Sequence, residues 1–235
     1  MTLLTICQDA ADELKISRPS AVVGSSQTDS QLLFRYANRV GLRLMKSVAW
    51  QAIRMEKTFT GLAGETQTGI LPADFDRFVP ETFWDRTNVH LVTGPIGAVQ
   101  WQGLKANSYS DDTRPKFIYR GSDVLIIPAL GGGESLAFEY VSQNWAQSSG
   151  GTGRAKFQAD TDTALLSEEL ITLGVKLLYL TDDGQPNATA QADFEDYLNN
   201  LIQNDQPGAG ILLAADIFGG GRHFSGAPSV DGNSV

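Results

Sequence analysis

The 235-residue chain predicts an α+β fold: a discontinuous antiparallel helical bundle, a small antiparallel β-sheet domain inserted into it, and an extended C-terminal tail. Three observations predict it. Apolar residues recur at spacings of three and four near both ends, while the middle alternates and is punctuated by glycine and proline. The last thirty residues hold seven of the chain's 24 glycines. These features divide the sequence into 1–53 and 147–205 (the two halves of the bundle), 54–146 (the β-rich insertion) and 206–235 (the tail).

Leu3, Cys7, Ala10, Ala11 and Leu14 form the apolar stripe of a first helix over residues 3–16, capped by Thr2 and stopped by Pro19. Cys7 lies on that stripe and reads as a small buried hydrophobe. After a polar loop at 24–29, Asp29 or Ser30 caps a second helix that runs to about Ile53. Its stripe is Leu33, Ala37, Val40, Leu44 and Val48.

From residue 54 the pattern changes. Thr58-Phe59-Thr60 and Gly69-Ile70-Leu71-Pro72 read as strands around a glycine turn. Residues 116–120 and 124–127 flank Gly121-Ser122-Asp123 as a hairpin, and the alternating residues 136–141 are expected to pair with it. A short helix fits within 96–106, with Val99 and Leu104 inward. Ser167, followed by Glu168 and Glu169, starts a helix through Leu180, the acids suiting the positive end of its dipole. Asp182-Asp183-Gly184-Gln185-Pro186 breaks it. Ala190, Phe194, Tyr197, Leu198, Leu201 and Ile202 then mark a fourth bundle helix ending near Asn204.

Composition narrows the function. The formal net charge of −9 argues against a broad nucleic-acid-binding face, which needs cations against phosphates. One cysteine excludes an internal disulfide framework, and two histidines leave little for a zinc site. No stretch approaches the length of a membrane span. The first nine residues lack a basic region, so a signal peptide is not expected and a reducing cytoplasm is the expected place of synthesis.

No enzyme signature is complete. Gly131-Gly132-Gly133 and Gly219-Gly220-Gly221 lack the spacing of a phosphate-binding loop and read as turns or linker. His90 and His223 stand outside any motif. Asp160-Thr161-Asp162-Thr163 lacks the glycine and glutamate of a calcium loop and reads as a helix-leading turn, so neither metal nor cofactor is expected. Glu81 with Asp85, and Asp74 with Asp76, flank aromatic residues. They leave open an alternative reading as a carbohydrate-binding or glycoside-hydrolase module. The simpler reading of Phe75, Phe78, Phe83 and Trp84 is that they anchor the junction of sheet and bundle.

One charge pattern stands out. Arg35, Arg39, Arg43 and Lys46 form a basic ridge beside the second helix's apolar stripe, on an otherwise acidic molecule. It is either solvated surface or the face that meets an acidic surface of a partner protein or of a neighbouring subunit, with acids such as Asp182, Asp183, Glu195 or Asp196.

Several segments in order carry a family resemblance. They are the opening helix with Asn38-Arg39 and Ala49-Trp50-Gln51, then Leu71-Pro72-Ala73-Asp74-Phe75-Asp76-Arg77-Phe78 leading into Phe83-Trp84-Asp85-Arg86-Thr87. Phe138-Glu139-Tyr140-Val141-Ser142-Gln143-Asn144-Trp145 follows, and then residues 157–174. Over about residues 1–205 the chain resembles the head-to-tail adaptors of tailed bacteriophages, particularly short-tailed ones. The resemblance implies a non-enzymatic virion protein in the neck between capsid and tail. It implies a homo-oligomeric ring, typically a dodecamer, that docks on the portal protein and receives tail nozzle or fibre proteins. DNA would pass through its channel without sequence-specific binding, and no membrane is involved. The resemblance also implies a portal-gripping C-terminal segment; here Ile211, Leu212, Leu213, Ile217, Phe218 and Arg222 fit that role.

Overall fold

The computed structural model describes residues 1–111, 113–205 and 212–218. It is an α+β structure of helices and antiparallel sheets. Helix α1 (Leu3–Leu14) is capped by the Thr2 hydroxyl, which accepts from the Thr5 N–H at 3.3 Å. It ends at Leu14, with Lys15 as the C-cap, two residues short of the expected Ile16. Lys15 adopts a left-handed φ of 58°, and the Ile16 N–H turns back to the Ala11 carbonyl at 3.0 Å. Cys7 is wholly buried, and burial, with a smaller push from Asp160, raises its thiol to about 12. It is packing, not a nucleophile.

Helix α2 (Thr28–Ser47) departs from expectation at both ends. Gln27 precedes it without a side-chain cap, and Asp29 and Ser30 lie inside the first turn. There the Asp29 carboxylate accepts from the Tyr179 hydroxyl at 3.3 Å, so it ties helices together instead of starting one. The helix also stops short of Ile53. Val48 is extended, and the Arg77 guanidinium, arriving from the β-rich part, donates to the Met45 and Val48 carbonyls at 2.8–3.1 Å. Distant chain thus satisfies carbonyls that another helical turn would have used. A 3-10 turn at Gln51–Ile53 leads into the sheets.

Two sheets replace the single one expected. The first has the order β1 (Arg54–Thr60), β8 (Ser135–Ser142), β4 (Trp84–Asp85), β5 (His90–Leu91), with β3 (Phe75–Phe78) also on β8. The second is β2 (Gly64–Gln67), β7 (Asp123–Leu130), β6 (Lys116–Arg120). The hairpin β6–β7 forms as read: Arg120 opposes Asp123 across a two-residue turn in which Gly121 takes φ 61°. Two expected pairings do not form. Residues 136–141 pair with β1, from Arg54↔Val141 to Thr60↔Ser135, not with the hairpin. Gly69–Pro72 is a turn, with the Gly69 N–H held by Asp123. A parallel bridge, Thr93↔Lys116, joins the two sheets.

Aromatic rings fill this part. Phe83, Phe117 and Phe138 are buried, and Phe78 lies 4.9 Å from the Phe117 ring and 4.8 Å from the Phe138 ring. Phe75 packs 4.8 Å from Phe78. These phenylalanines therefore build the β-rich part's own core, whereas the junction with the helices falls to Val79, Asp76 and Arg77. Helix α3 (Ala98–Ala106) turns Trp101 inward, at 2% exposure, and leaves Val99 at 89%. The two sit 200° apart on a helical wheel, so one large indole decides which face is buried.

The helical part shares a second core. Small strands β9 (Ala146–Gln147), β10 (Gly153–Arg154) and β11 (Thr163–Ala164) form a three-stranded antiparallel sheet ahead of the next helix. Helix α4 (Glu168–Asp182) begins as expected, with the Ser167 hydroxyl accepting from the Leu170 N–H. Helix α5 (Ala188–Asp205) buries Ala190, Phe194, Leu198 and Ile202. Trp145 and Phe157, rings 4.8 Å apart, close the core against Gly41 of α2, where a Cβ would lie 2.2 Å from the Trp145 ring.

Asp160 and Asp162 are structural ties, as the turn reading anticipates. Asp160 accepts from the Val22 and Val23 N–H groups. Asp162 is 1% exposed and accepts from the Gln158 and Ala159 N–H groups and from Arg154. Burial alone would raise the Asp162 carboxyl, but those hydrogen bonds and the Arg154 charge hold it below the ordinary carboxylate range. A depressed folded pKa means its stabilisation is complete above the unfolded value, about 4, and is lost as pH falls through the folded value. Thermal unfolding between pH 6 and pH 3 should therefore show a midpoint falling with pH. Asp162→Asn should lower the midpoint at pH 6 and flatten the slope.

Candidate functional site

The four cations of the α2 ridge have different surroundings. Arg35 and Arg39 are exposed and make no ion pair among the described residues. Lys46 pairs with the mostly buried Asp76, so it belongs to the junction with the sheets. Arg43 is half-buried, and burial together with the charge of Arg39 lowers its pKa.

Arg43 meets the C-terminal segment. Helix α6 (Ala214–Phe218) packs back on α2 and α5, burying Ala214 and Ile217. The Arg43 guanidinium sits 5.3 Å over the Phe218 ring and donates to the Phe218 carbonyl at 3.2 Å. Phe194 closes the other side, with ring centroids 5.1 Å apart. Asn199 holds Leu212 from both directions: its Nδ2 donates to the Leu212 carbonyl at 2.9 Å and its Oδ1 accepts from the Leu212 N–H at 2.8 Å. Glu195 accepts from the Ala214 N–H at 2.7 Å. A cleft of about 280 Å³ beside the segment is lined by Arg39, Arg43, Leu178, Asp182, Gln191 and Phe218.

Of the expected portal-contact residues, Leu212, Ile217 and Phe218 therefore rest on this chain's own helices, while Leu213 is exposed. Ile211 and Arg222 lie outside the described residues. Among the expected acidic partners, Asp182 accepts from the Tyr36 hydroxyl at 2.6 Å, and Asp183 accepts from Gln185. Burial, with that bond to Asp182, pushes the Tyr36 hydroxyl up to about 12. Asp196 is exposed. Asn199 and Glu195 are the residues that sequence reasoning missed in this role. Nothing in their spacing separates a backbone clamp from an ordinary polar helix face.

Three of the four carboxylates of the carbohydrate reading take part in structural contacts. Asp74 accepts from the Ser142 and Tyr140 hydroxyls, Asp76 from Lys46 and Arg77, and Asp85 from the Thr87 and Asn88 N–H groups. Glu81 is exposed. Among the described residues no three His, Cys, Asp or Glu side chains form a group that could hold a metal ion. No helix among them is long and apolar enough to cross a membrane.

Charged groups thus tie elements together, and α2 and α5 carry exposed cations and exposed acids. The SU10 adaptor protein family matches residues 1–211, and the chain belongs to that family. It is a structural adaptor of a bacteriophage particle. No curated protein matches the chain.

Proposed function

We propose that this adaptor forms a homo-oligomeric ring, of twelve copies, in the neck of a short-tailed virion. The ring joins the portal protein to tail nozzle or fibre proteins, and DNA passes through its channel during ejection without sequence-specific binding. Subunits are made in the host cytoplasm and taken up on the portal. In this reading 1–53 and 147–205 are the halves of an antiparallel bundle, 54–146 is its inserted β domain, and the C-terminal residues reach the portal. An acidic protein suits a DNA conduit, since like charge discourages sticking.

The observation that carries the reading, besides the family, is that Arg35 and Arg39 stay exposed and unspent inside the subunit. Ring contacts are heterologous, so one face of each subunit must complement a different face of the next. Exposed acids such as Asp196 offer that complement. Reversing both charges, Arg35→Glu with Arg39→Glu, is expected to cut the yield of assembled rings at least tenfold in low salt while circular dichroism stays unchanged. Mass by light scattering, with and without portal, measures it. Wild-type yield would assign these cations to solvent.

A further inference from the structure

The contacts around residues 212–218 are those of a peptide in a groove. An amide side chain reads the backbone of one residue, Leu212, in both directions, and a carboxylate takes the N–H of Ala214. Two apolar anchors, Ile217 and Phe218, then enter between α2 and α5, the second capped by a guanidinium. Every one of these contacts is made by side chains of α2 and α5. None depends on the segment belonging to the same chain.

Two further observations bear on who supplies it. Six residues, 206–211, separate the end of α5 from Leu212, and they include two glycines and a proline. Seven backbone steps reach at most about 24 Å. A groove on an adjoining copy that stands within this span is open to the segment. The family match also ends at residue 211, so the segment that fills the groove lies beyond the region the family shares.

We infer that the α2–α5 groove is an exchangeable peptide site whose ligand is residues 212–218 of a second copy of this chain as well as of its own. In a dilute subunit the short connection keeps the segment at an effective concentration in the millimolar range, and the groove is filled from within. Where copies stand side by side, a neighbour's segment is present at comparable concentration and makes identical contacts. Exchange then links subunits at no cost in contacts. The inference does not rest on the ring or on the portal, because the groove and its ligand both belong to this chain.

The test uses full-length chains and a fluorescein-labelled peptide of sequence LLAADIF. The Phe218→Ala chain keeps the groove but weakens its own occupant, and it should bind the peptide saturably in fluorescence anisotropy. Wild type, filled from within, should bind at least tenfold more weakly, as should the Asn199→Ala/Phe218→Ala chain. Unlabelled full-length Asn199→Ala chain, with an intact segment and an impaired groove, should displace the peptide. The site is overturned if a Phe218→Ala chain with wild-type circular dichroism shows no saturable binding, or binds no better than the double variant. Occupancy by a second copy is overturned if the Asn199→Ala chain cannot displace the peptide.

Discussion

Trp145→Ala is expected to destabilise the protein by about 3–5 kcal/mol, the range for truncating a large aromatic in a closed core. The indole is fully buried, with Phe157 on one side and the bare Cα of Gly41 on the other. No small movement of either neighbour fills the space. The reverse change is also costly: Gly41→Ala places a methyl 2.2 Å from ring atoms that have nowhere to go, an overpacking worth about 1–3 kcal/mol. Trp145→Phe should lose less than Trp145→Ala, since it keeps most of the ring and removes a buried Nε1–H that has no hydrogen-bond partner. Urea unfolding followed by far-ultraviolet circular dichroism orders the three variants. A Trp145→Ala midpoint equal to wild type would mean that the indole does not hold α2 to the strands.

Phe138→Ala carries an effect of the same size, about 3–5 kcal/mol, but in a different place. Phe138 is buried on β8, the strand shared by β1, β3 and β4, with the rings of Phe59, Phe78, Phe83 and Tyr140 within 6.2 Å. Its cluster is separate from the one formed by α1, α2, α4 and α5. Hydrogen exchange read by mass spectrometry should therefore show faster exchange across β1, β3 and β4, with protection in α1 and α4 retained. Uniform loss of protection would show that the two cores unfold as one unit.

How far the sequence led depended on how local the deciding contact is. The Thr2 and Ser167 caps, the apolar stripes and the Gly121 turn are written within a few residues, and all were legible. The end of α2 was not, because Arg77, thirty residues away, takes its last carbonyls. Nor was the partner of β8. Alternation at 136–141 announces a strand facing a core, but many strands satisfy it, and β1 lies some eighty residues upstream. In α3 the expected inward pair is split: Leu104, one turn from Trp101 on the same face, is half-buried, whereas Val99 lies on the opposite side and faces solvent. For the candidate surface, the ridge was visible as charge. Its division among Lys46 at the junction, Arg43 at Phe218, and Arg35 and Arg39 outside required the fold.

The pairing of Arg54 with Val141 means that the chain enters and leaves the β-rich part through neighbouring backbones. β1 runs away from the helices and β8 returns, with seven register pairs between them. A pull at the Thr60–Ser135 end of the pair therefore stretches both strands in the same sense and does not slide one past the other. Strands already rise about 3.3 Å per residue, near the limit of a polypeptide, so this stem has almost no slack to release. It acts as a tether of two covalent lines, transmitting tension to the helices with little elongation.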